Sequence, residues 1–377
     1  MNKIIRVAQV IGNAGAGGVE ACIMNYYKAI DKTKVQFDFF VEQESVIINK
    51  KDVESMGGKV IIIPSYKNVF KYVKTLEKLF KEGNYDIVHS NMNAVSVLTL
   101  KAAKKAGIKV RIAHSHSTSN YREFMKTIIK NILRPFSKVY ATDYFACSEK
   151  AGRWLFGNKT FNEGKVTIIP NAIDIEKFKF DEIKRKEIRK NYNINDNDFV
   201  IGHVGRFVKQ KNHKFLIKLF YEVKKERPYS KLLLIGDGPL RSKIETMVNK
   251  LNLQDSVIFC GVQEHTEWYY NAMDCFVLPS LYEGLPVVGV EAQANGLPCF
   301  FSKNMTREVM ILQNAQFFCL KQKKVLKKII THNCDKYRLL CNKDTSKEMD
   351  EKGFNINYEA NKLENKYSKL IYAGNKI

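Results

Sequence analysis

The chain contains no stretch that meets the ~18 consecutive apolar residues of a membrane-spanning helix. Its opening, "MNKIIRVAQVIGNAGAGG", has an apolar run too short to span a bilayer and no cleavage-site pattern. A cytoplasmic protein is therefore expected. Eight cysteines are present but no CxxC, and most sit in apolar stretches such as "VIFCG" and "DCFVLP", as buried hydrophobes of a reducing compartment do. GxGxxG and GxxxxGK[ST] are both missing, which argues against a dehydrogenase or a P-loop enzyme. No clustered His/Cys/Asp set suggests a metal site, so none is expected. Acid is the scarce charge: 39 Asp+Glu face 62 Lys+Arg, a net +23. That sign favours anionic partners such as nucleotide phosphates, nucleic acid or an acidic membrane face. Many of the same lysines would equally serve to keep a surface soluble.

What is abundant is alternation. "KIIRVAQVI", "KVQFDFFV", "KVIIIP", "YDIVHS", "VRIAHS", "YFACSE" and "VTIIPNAID" read as strands. Between them, "GGVEACIMNYYKAID", "VFKYVKTLEKLFKEG" and "AVSVLTLKAAKKAG" read as helices. Near-continuous apolar strands alternating with helices predict an α/β protein with parallel sheets covered on both faces. After a charged helix and loop in "KFDEIKRKEIRKNYNINDNDF", the plan recurs with "VIGHVGRF", "KLLLIGDG", "VIFCGV", "CFVLPS" and "PCFFS". Two doubly wound, Rossmann-like domains facing across a cleft are expected, over residues 1–170 and 171–356. Such sheets bind ligands at the carboxyl ends of their strands. The final "NYEANKLENKYSKLIYA", in about 357–377, is expected to return as a helix onto the first domain.

Candidate residues gather at strand ends. The first loop, Gly12 to Gly18 with Gly15 and Gly17, lets backbone approach phosphate or sugar, or is simply a tight turn. Two roles fit Glu20: capping the following helix, or touching an acceptor. In "GHVGRFVKQKNH", Arg206 and Lys211 lie five apart with Gly205 before them, a guanidinium and an ammonium suited to a diphosphate. "LLLIGDGPL" ends in the turn Gly236-Asp237-Gly238-Pro239. "SLYEGLPVVGVEAQANGLP" then carries Glu283 in a loop and Glu291 one to two turns into a helix that Gly296 ends. A carboxylate in so apolar a run costs several kcal/mol without a partner. Hydroxyls of a ribose or sugar would supply one, while the loop's amides and the helix N-terminus take charged or sugar oxygens. Hydroxyl-seeking acids beside phosphate-seeking bases describe a nucleotide-sugar.

Assembled in this order, "VTIIPNAIDIEKF", "GRFVKQKNH", "LLLIGDGPL" and "PSLYEGLPVVGVEAQANGLP" make the chain resemble a family 4 (GT4-type) glycosyltransferase of the GT-B fold, in the bacterial capsular and exopolysaccharide branch. The resemblance covers nearly the whole chain and is strongest over 166–303, the E-x7-E pair being its most specific element. It implies a retaining, metal-independent hexosyl transfer without cofactor, from an NDP-sugar, usually UDP-linked, to a saccharide or polyprenyl-linked acceptor in surface polysaccharide synthesis. Arg206 and Lys211 would hold the donor diphosphate and stabilise the leaving group. Glu291 would bind the ribose. Glu283 would lie near the donor sugar, with Gly284, Leu285 and Pro286 beside it. In "RIAHSHSTS", His116 would contact the donor sugar and support the transition state, with His114 second and His89 a weaker third. Gly17, Gly18, Asn171, Gly205, Gly236 and Gly238 complete the implied binding set. The loop "GNAGAGGVE" has more small residues than the family's bare GG pair, and the lysine-rich 305–355 matches nothing in it.

"YREFMKTIIKNILRPF" places Arg122, Lys126, Lys130 and Arg134 at successive fours beside Met125, Ile129 and Leu133. On a helix this is a basic stripe flanking an apolar one, which suits peripheral contact with an anionic membrane or a helix with its apolar face in the core. Rival readings fare worse. A GT-B-shaped UDP-sugar epimerase would need no acceptor, and a phosphorylase needs a longer chain. A nucleic-acid binder lacks any helix-turn-helix, RRM-like or zinc-finger pattern.

Overall fold

Strand residues such as Leu232, Leu233 and Leu234 are all fully buried, so both faces of their sheet are covered. A parallel sheet requires this, because helical crossovers lie on each side of it. The computed structural model describes residues 3–12, 17–44, 47–116, 132–333 and 344–374. The chain divides into two compact units, Met1–Ala172 with Asn355–Ile377, and Ile173–Phe354.

The first unit holds β1 (Ile5–Gly12), β2 (Val35–Val41), β3 (Lys59–Ile62), β4 (Ile87–Ser90), β5 (Val110–Ser115), β6 (Asp143–Ala146) and β7 (Val166–Ile168). They pair in parallel in the order β3-β2-β1-β4-β5-β6-β7. The helices Val69–Gly83 and Ser96–Lys105 bury Tyr72, Leu76, Phe80 and Leu100 against Val10, Phe40 and Val88. The helix Ile356–Gly374 belongs to this unit and buries Tyr367 completely. Its Glu364 accepts the backbone N–H of Asp31 at 2.6 Å.

The second unit repeats the plan with β8 (Phe199–Val204), β9 (Ser230–Ile235), β10 (Val257–Gly261), β11 (Cys275–Leu278), β12 (Cys299–Ser302) and β13 (Ala315–Phe318), in the order β10-β9-β8-β11-β12-β13. The order of strand addition reverses at β1/β4 in one sheet and at β8/β11 in the other, and ligands of such sheets bind at that switch point. Two features exceed the sequence reading. The lysine-rich stretch contributes an edge strand, β13, paired in register with β12, and a helix, Lys323–His332. The charged helix Glu182–Asn191 is anchored rather than merely solvated: Arg185 bonds Asp274 at 2.7 Å, and the almost fully buried Arg189 donates to the carbonyls of Ala272, Asn195 and Asp198.

Candidate functional site

Polar clusters mark the switch point of each sheet. In the second unit, the chain leaves β8 through Gly205, whose missing side chain matters: a Cβ there would lie 3.2 Å from Lys211 Cδ. Gly236 and Gly238, at φ +122° and +156°, let the turn after β9 close on the same loop. A Cβ on Gly236 would sit 2.5 Å from the Gly205 carbonyl, and one on Gly238 2.8 Å from the Phe207 nitrogen. The two loops are instead stitched by Phe207 N–H to Asp237 O and Leu240 N–H to Phe207 O, each 2.9 Å.

A short 3-10 turn, Lys209–Lys211, runs into Asn212, which adopts φ +57° before the helix His213–Glu226 begins. Asparagine tolerates this left-handed conformation better than other side chains with a Cβ. Its amide donates to the Pro279 carbonyl at 3.1 Å and ties the turn to the end of β11. Lys211 Nζ thereby reaches Glu283 Oε1 at 2.8 Å, with side chains only 16% and 11% exposed. Ser280 Oγ donates to the same carboxylate oxygen (2.9 Å), and Gln210 Nε2 donates to the other (3.0 Å) and to the Tyr282 carbonyl. Glu283 is thus held by three side chains, and the ammonium, with three donors, keeps capacity for phosphate oxygens. Arg206, just after Gly205, is exposed.

Gly284, Leu285 and Pro286 are buried and lead into the helix Val287–Ala294, with Pro286 as its N-cap. The side-chain Oε1 of Gln293 accepts the backbone amides of Ile311 and Leu312, and its Nε2 donates to Val309 O, pinning that helix. Glu291, 8% exposed, accepts a hydrogen bond from Tyr270 OH at 2.7 Å. Burial lifts its carboxyl to about 7, helped by Glu267 and opposed by the Tyr270 bond and by Lys177 and Lys211. Glu267 is itself paired with Lys177 at 3.2 Å. A carboxyl with a pKa near 7 in an apolar helix is a strained group of the kind that gathers at functional sites.

In the first unit, buried His89, His114 and His116 stand at or just past the ends of β4 and β5. His89 Nε2 bonds His114 Nδ1 at 2.9 Å, and the His114 and His116 rings overlap with centroids 3.8 Å apart. His116 Nε2 meets Asn91 Oδ1 at 2.8 Å, and its backbone N–H donates to Oδ1 of Asn93, another asparagine at positive φ. Burial holds His89 and His116 down at about 3 and His114 well below its ordinary value, so all three rings are neutral. Nearby, Glu20 Oε2 accepts the Gly17 N–H at 2.6 Å, so the capping role is the one this structure displays. Gly18 opens that helix. The helix supports the Pro170–Ala172 backbone, because Tyr26 OH donates to Pro170 O at 2.8 Å and Asn25 to Ala172 O at 3.2 Å; Asn171 between them is buried.

Glu283 and Lys211 are brought into one contact, and Glu291 lies in the same unit with its own partner. His114 and His116 lie in ring contact, tilted by 33°, in the other. Sequence reasoning passed over Gln210, Ser280 and Tyr270, which hold the two glutamates. It also passed over Gln9, Asn91 and Tyr367, which hold the histidines. A glutamine inside the apolar run "RVAQVI" was the one available signal; Tyr367 gave none. Residues 13–16 of the first loop and Arg122, Lys126 and Lys130 of the basic stretch lie outside the described residues. Among the described residues no three His, Cys, Asp or Glu side chains form a metal-ligand set, and no helix is long and apolar enough to cross a membrane.

Known proteins resemble the chain along most of its length. The Glycosyltransferase Family 4 profile matches residues 16–177, and Glycosyl transferases group 1 matches 184–342. EpsF of Bacillus subtilis (strain 168), named as a glycosyltransferase by inference, is 37% identical over 312 residues, 81% of this chain and 80% of its own. UDP-Gal:alpha-D-GlcNAc-diphosphoundecaprenol alpha-1,3-galactosyltransferase of Escherichia coli is 25% identical over 80% of both chains. In structure, Anabaena Alr3699/HepE, solved in complex with UDP-glucose, superposes with a TM-score of 0.81 at 17% identity, covering 97% of this chain and 100% of that one.

Proposed function

Because the chain belongs to the family 4 glycosyltransferases and has the GT-B fold, we propose that this glycosyltransferase moves a hexose from a UDP-sugar, with retention, to a saccharide or polyprenyl-linked acceptor. The observation that carries the reading is the pairing within the second unit: a cation held in place by one glutamate, and a second, buried glutamate with a strained carboxyl. Relatives point the same way, since the Escherichia coli protein is named for UDP-Gal and an undecaprenol-linked acceptor, and HepE was solved with UDP-glucose.

In the proposed mechanism, Lys211 and Arg206 bind the diphosphate and meet the charge that grows as the anomeric C–O bond breaks. These fixed cations supply the neutralisation that a metal would otherwise supply. Glu291 accepts the ribose hydroxyls and is drawn into its ionised form by them. Glu283 orients Lys211 and, with the amides around Gly284 to Pro286 and the positive end of the following helix, receives sugar or phosphate oxygens. Gly205, Gly236 and Gly238 provide the close backbone approach. His116, with His114, contacts the transferred sugar as a neutral hydrogen-bonding group. The acceptor hydroxyl adds to the anomeric carbon on the face the diphosphate leaves, and its proton passes to the departing phosphate oxygen. Gly17, Gly18 and Asn171 are assigned to the acceptor side, with Glu20 shaping that loop.

The protein is further proposed to work in the cytoplasm, touching an anionic membrane surface. At the end of the basic stretch and just beyond it, Ile132, Phe136 and Val139 are 60%, 52% and 57% exposed beside exposed Arg134 and Lys138. Apolar groups set among cations suit such a surface. Thermal shift against UDP, GDP, ADP and their sugar conjugates, with and without EDTA, tests the donor reading. Saturating UDP-sugar at about a hundred times its Kd should add about 2.7 kcal/mol, with EDTA leaving the gain intact. A shift that EDTA abolishes would sink metal independence, and no shift with any nucleotide would sink the donor assignment.

A further inference from the structure

The histidines of the first unit are part of a continuous hydrogen-bond chain with one sense of direction. Asn91 Nδ2 donates to Gln9 Oε1 (2.9 Å) and to the His89 carbonyl (3.4 Å), and two acceptors fix that end of the side chain as the amide nitrogen. Asn91 therefore presents its oxygen to His116 Nε2, which must carry the proton, leaving His116 Nδ1 as a bare acceptor. At the other end, Gln9 Nε2 donates to Tyr367 OH at 3.2 Å. Among the described residues His89 Nδ1, 2.7 Å away, is the remaining partner of that phenol, so the phenol proton points to it. A neutral His89 is then protonated on Nε2 and donates to His114 Nδ1, which leaves the proton of His114 on its own Nε2. His114 Nε2 and His116 Nδ1 are buried, and neither has a partner among the described residues.

We propose that Tyr367 and His89 are positioning residues that set the tautomer of His114, so that the adjacent His114/His116 pair offers one N–H donor and one bare nitrogen acceptor to a hydroxyl of the transferred sugar. A hydroxyl is the common group that donates and accepts at once. A carboxylate, which only accepts, would leave the bare nitrogen of His116 unmet. The device also explains why the returning helix Ile356–Gly374 brings a fully buried tyrosine to a strand of the first sheet. This inference rests on the reading that the pair faces the sugar.

The test is long-range proton–nitrogen NMR on the full chain labelled with 15N-histidine, with steady-state kinetics beside it. The wild-type spectrum should show Nε2–H tautomers at His89, His114 and His116 at pH 7. In Tyr367→Phe, His89 and His114 should populate both tautomers. kcat should fall about 10- to 100-fold, as when other ring-orienting partners are removed, with the donor KM unchanged. An Nδ1–H tautomer at His89 or His114 in the wild type would overturn the proposal without any variant having to fold. Unmoved tautomers in Tyr367→Phe would overturn it too. If the tautomers shift as stated while kcat does not, the relay is real but its link to the sugar fails. Donor binding by thermal shift would stand apart from all three results.

Discussion

The two switch points share one sheet topology and have opposite chemistry. At β8/β11 the polar groups are charged and partly open: Lys211 against Glu283, Arg206 in solvent, and Glu291 strained toward neutrality. At β1/β4 and the adjoining β5 they are neutral, ring-shaped and sealed, with histidines that burial keeps unprotonated. The difference matches what each would handle. A diphosphate is permanently charged and needs fixed cations whose own desolvation is offset by a built-in counter-ion. A reacting sugar is uncharged until its bond breaks, and oriented neutral donors and acceptors meet it without the cost of a buried charge. On the proposed reading, the same backbone plan would carry an electrostatic site and a hydrogen-bonding site, distinguished by loop chemistry.

Removing the charge from the first site should break the comparison most severely. Lys211→Ala or Arg206→Ala should lower kcat/KM for the donor by about 10²–10³-fold, the scale of losing one group aimed at developing charge. Lys211→Ala should also leave Glu283 with only Ser280 and Gln210, at a cost of about 1–3 kcal/mol in stability. Arg206→Ala, on an exposed side chain, should leave the melting temperature where it is. Equal stability losses in both variants would mean that the Lys211–Glu283 pair is ordinary surface chemistry.

Glu291→Gln sharpens the contrast because binding and stability should move in opposite directions. Its carboxyl is raised from 4.5 to about 7, so its ionisation in the folded protein opposes folding. The sign follows: the favourable, protonated form is fully present below pH 4.5, and that stability is lost as pH rises to about 7. By pH 8 the loss is roughly 3 kcal/mol. Glutamine removes it while keeping the shape, so the ligand-free variant should be more stable than wild type at pH 8. Its UDP affinity should fall about 100-fold. Calorimetric melting with a UDP titration checks both, and a variant that binds UDP normally would remove Glu291 from the nucleotide site.

The histidines should respond to acid with the reverse sign. His89 and His116 fall from 6.5 to about 3, so their stabilising neutral form is fully present above pH 6.5 and is lost as pH falls toward 3. At pH 5 each ring should have given up about 2 kcal/mol. Acid therefore weakens the first unit over the range in which it relieves Glu291 in the second. His116→Asn should flatten the fall in melting temperature between pH 7 and 5, and Glu291→Gln should steepen it. Parallel slopes in both variants would show that neither group governs the acid response.

How much of this was legible depended on how each group announces itself. A doubly wound plan shows through because buried parallel strands must be apolar along their whole length, as "KLLLIGDG" and "KVQFDFFV" are. Glu283 and Glu291 stood out because charge in so apolar a run is anomalous, and Arg206 and Lys211 because their motif matches the resembled family's. The supporting groups did not. Ser280, Gln210 and Tyr270 are ordinary residues whose importance lies in reaching a glutamate, and Tyr367 is 278 positions from His89. The edge strand Ala315–Phe318 was hidden by its lysine-rich surroundings, since a four-residue strand at a sheet edge carries too few apolar residues to show a period.

Asn212 supplies the smallest and most local test. Its φ of +57° turns the chain between Lys211 and the next helix, and its amide holds Pro279 O, so it both bends and anchors the loop that aims the lysine. Asn212→Gly keeps the bend and loses the anchor; Asn212→Ala loses the anchor and strains the bend. The alanine variant should therefore be less stable than the glycine variant by about 1 kcal/mol. Both should weaken UDP binding severalfold, because each removes one of the ties between the turn and the end of β11, leaving those of Gln210. If only alanine affects binding, backbone shape alone aims Lys211. If only stability changes, the lysine finds Glu283 without help from the asparagine.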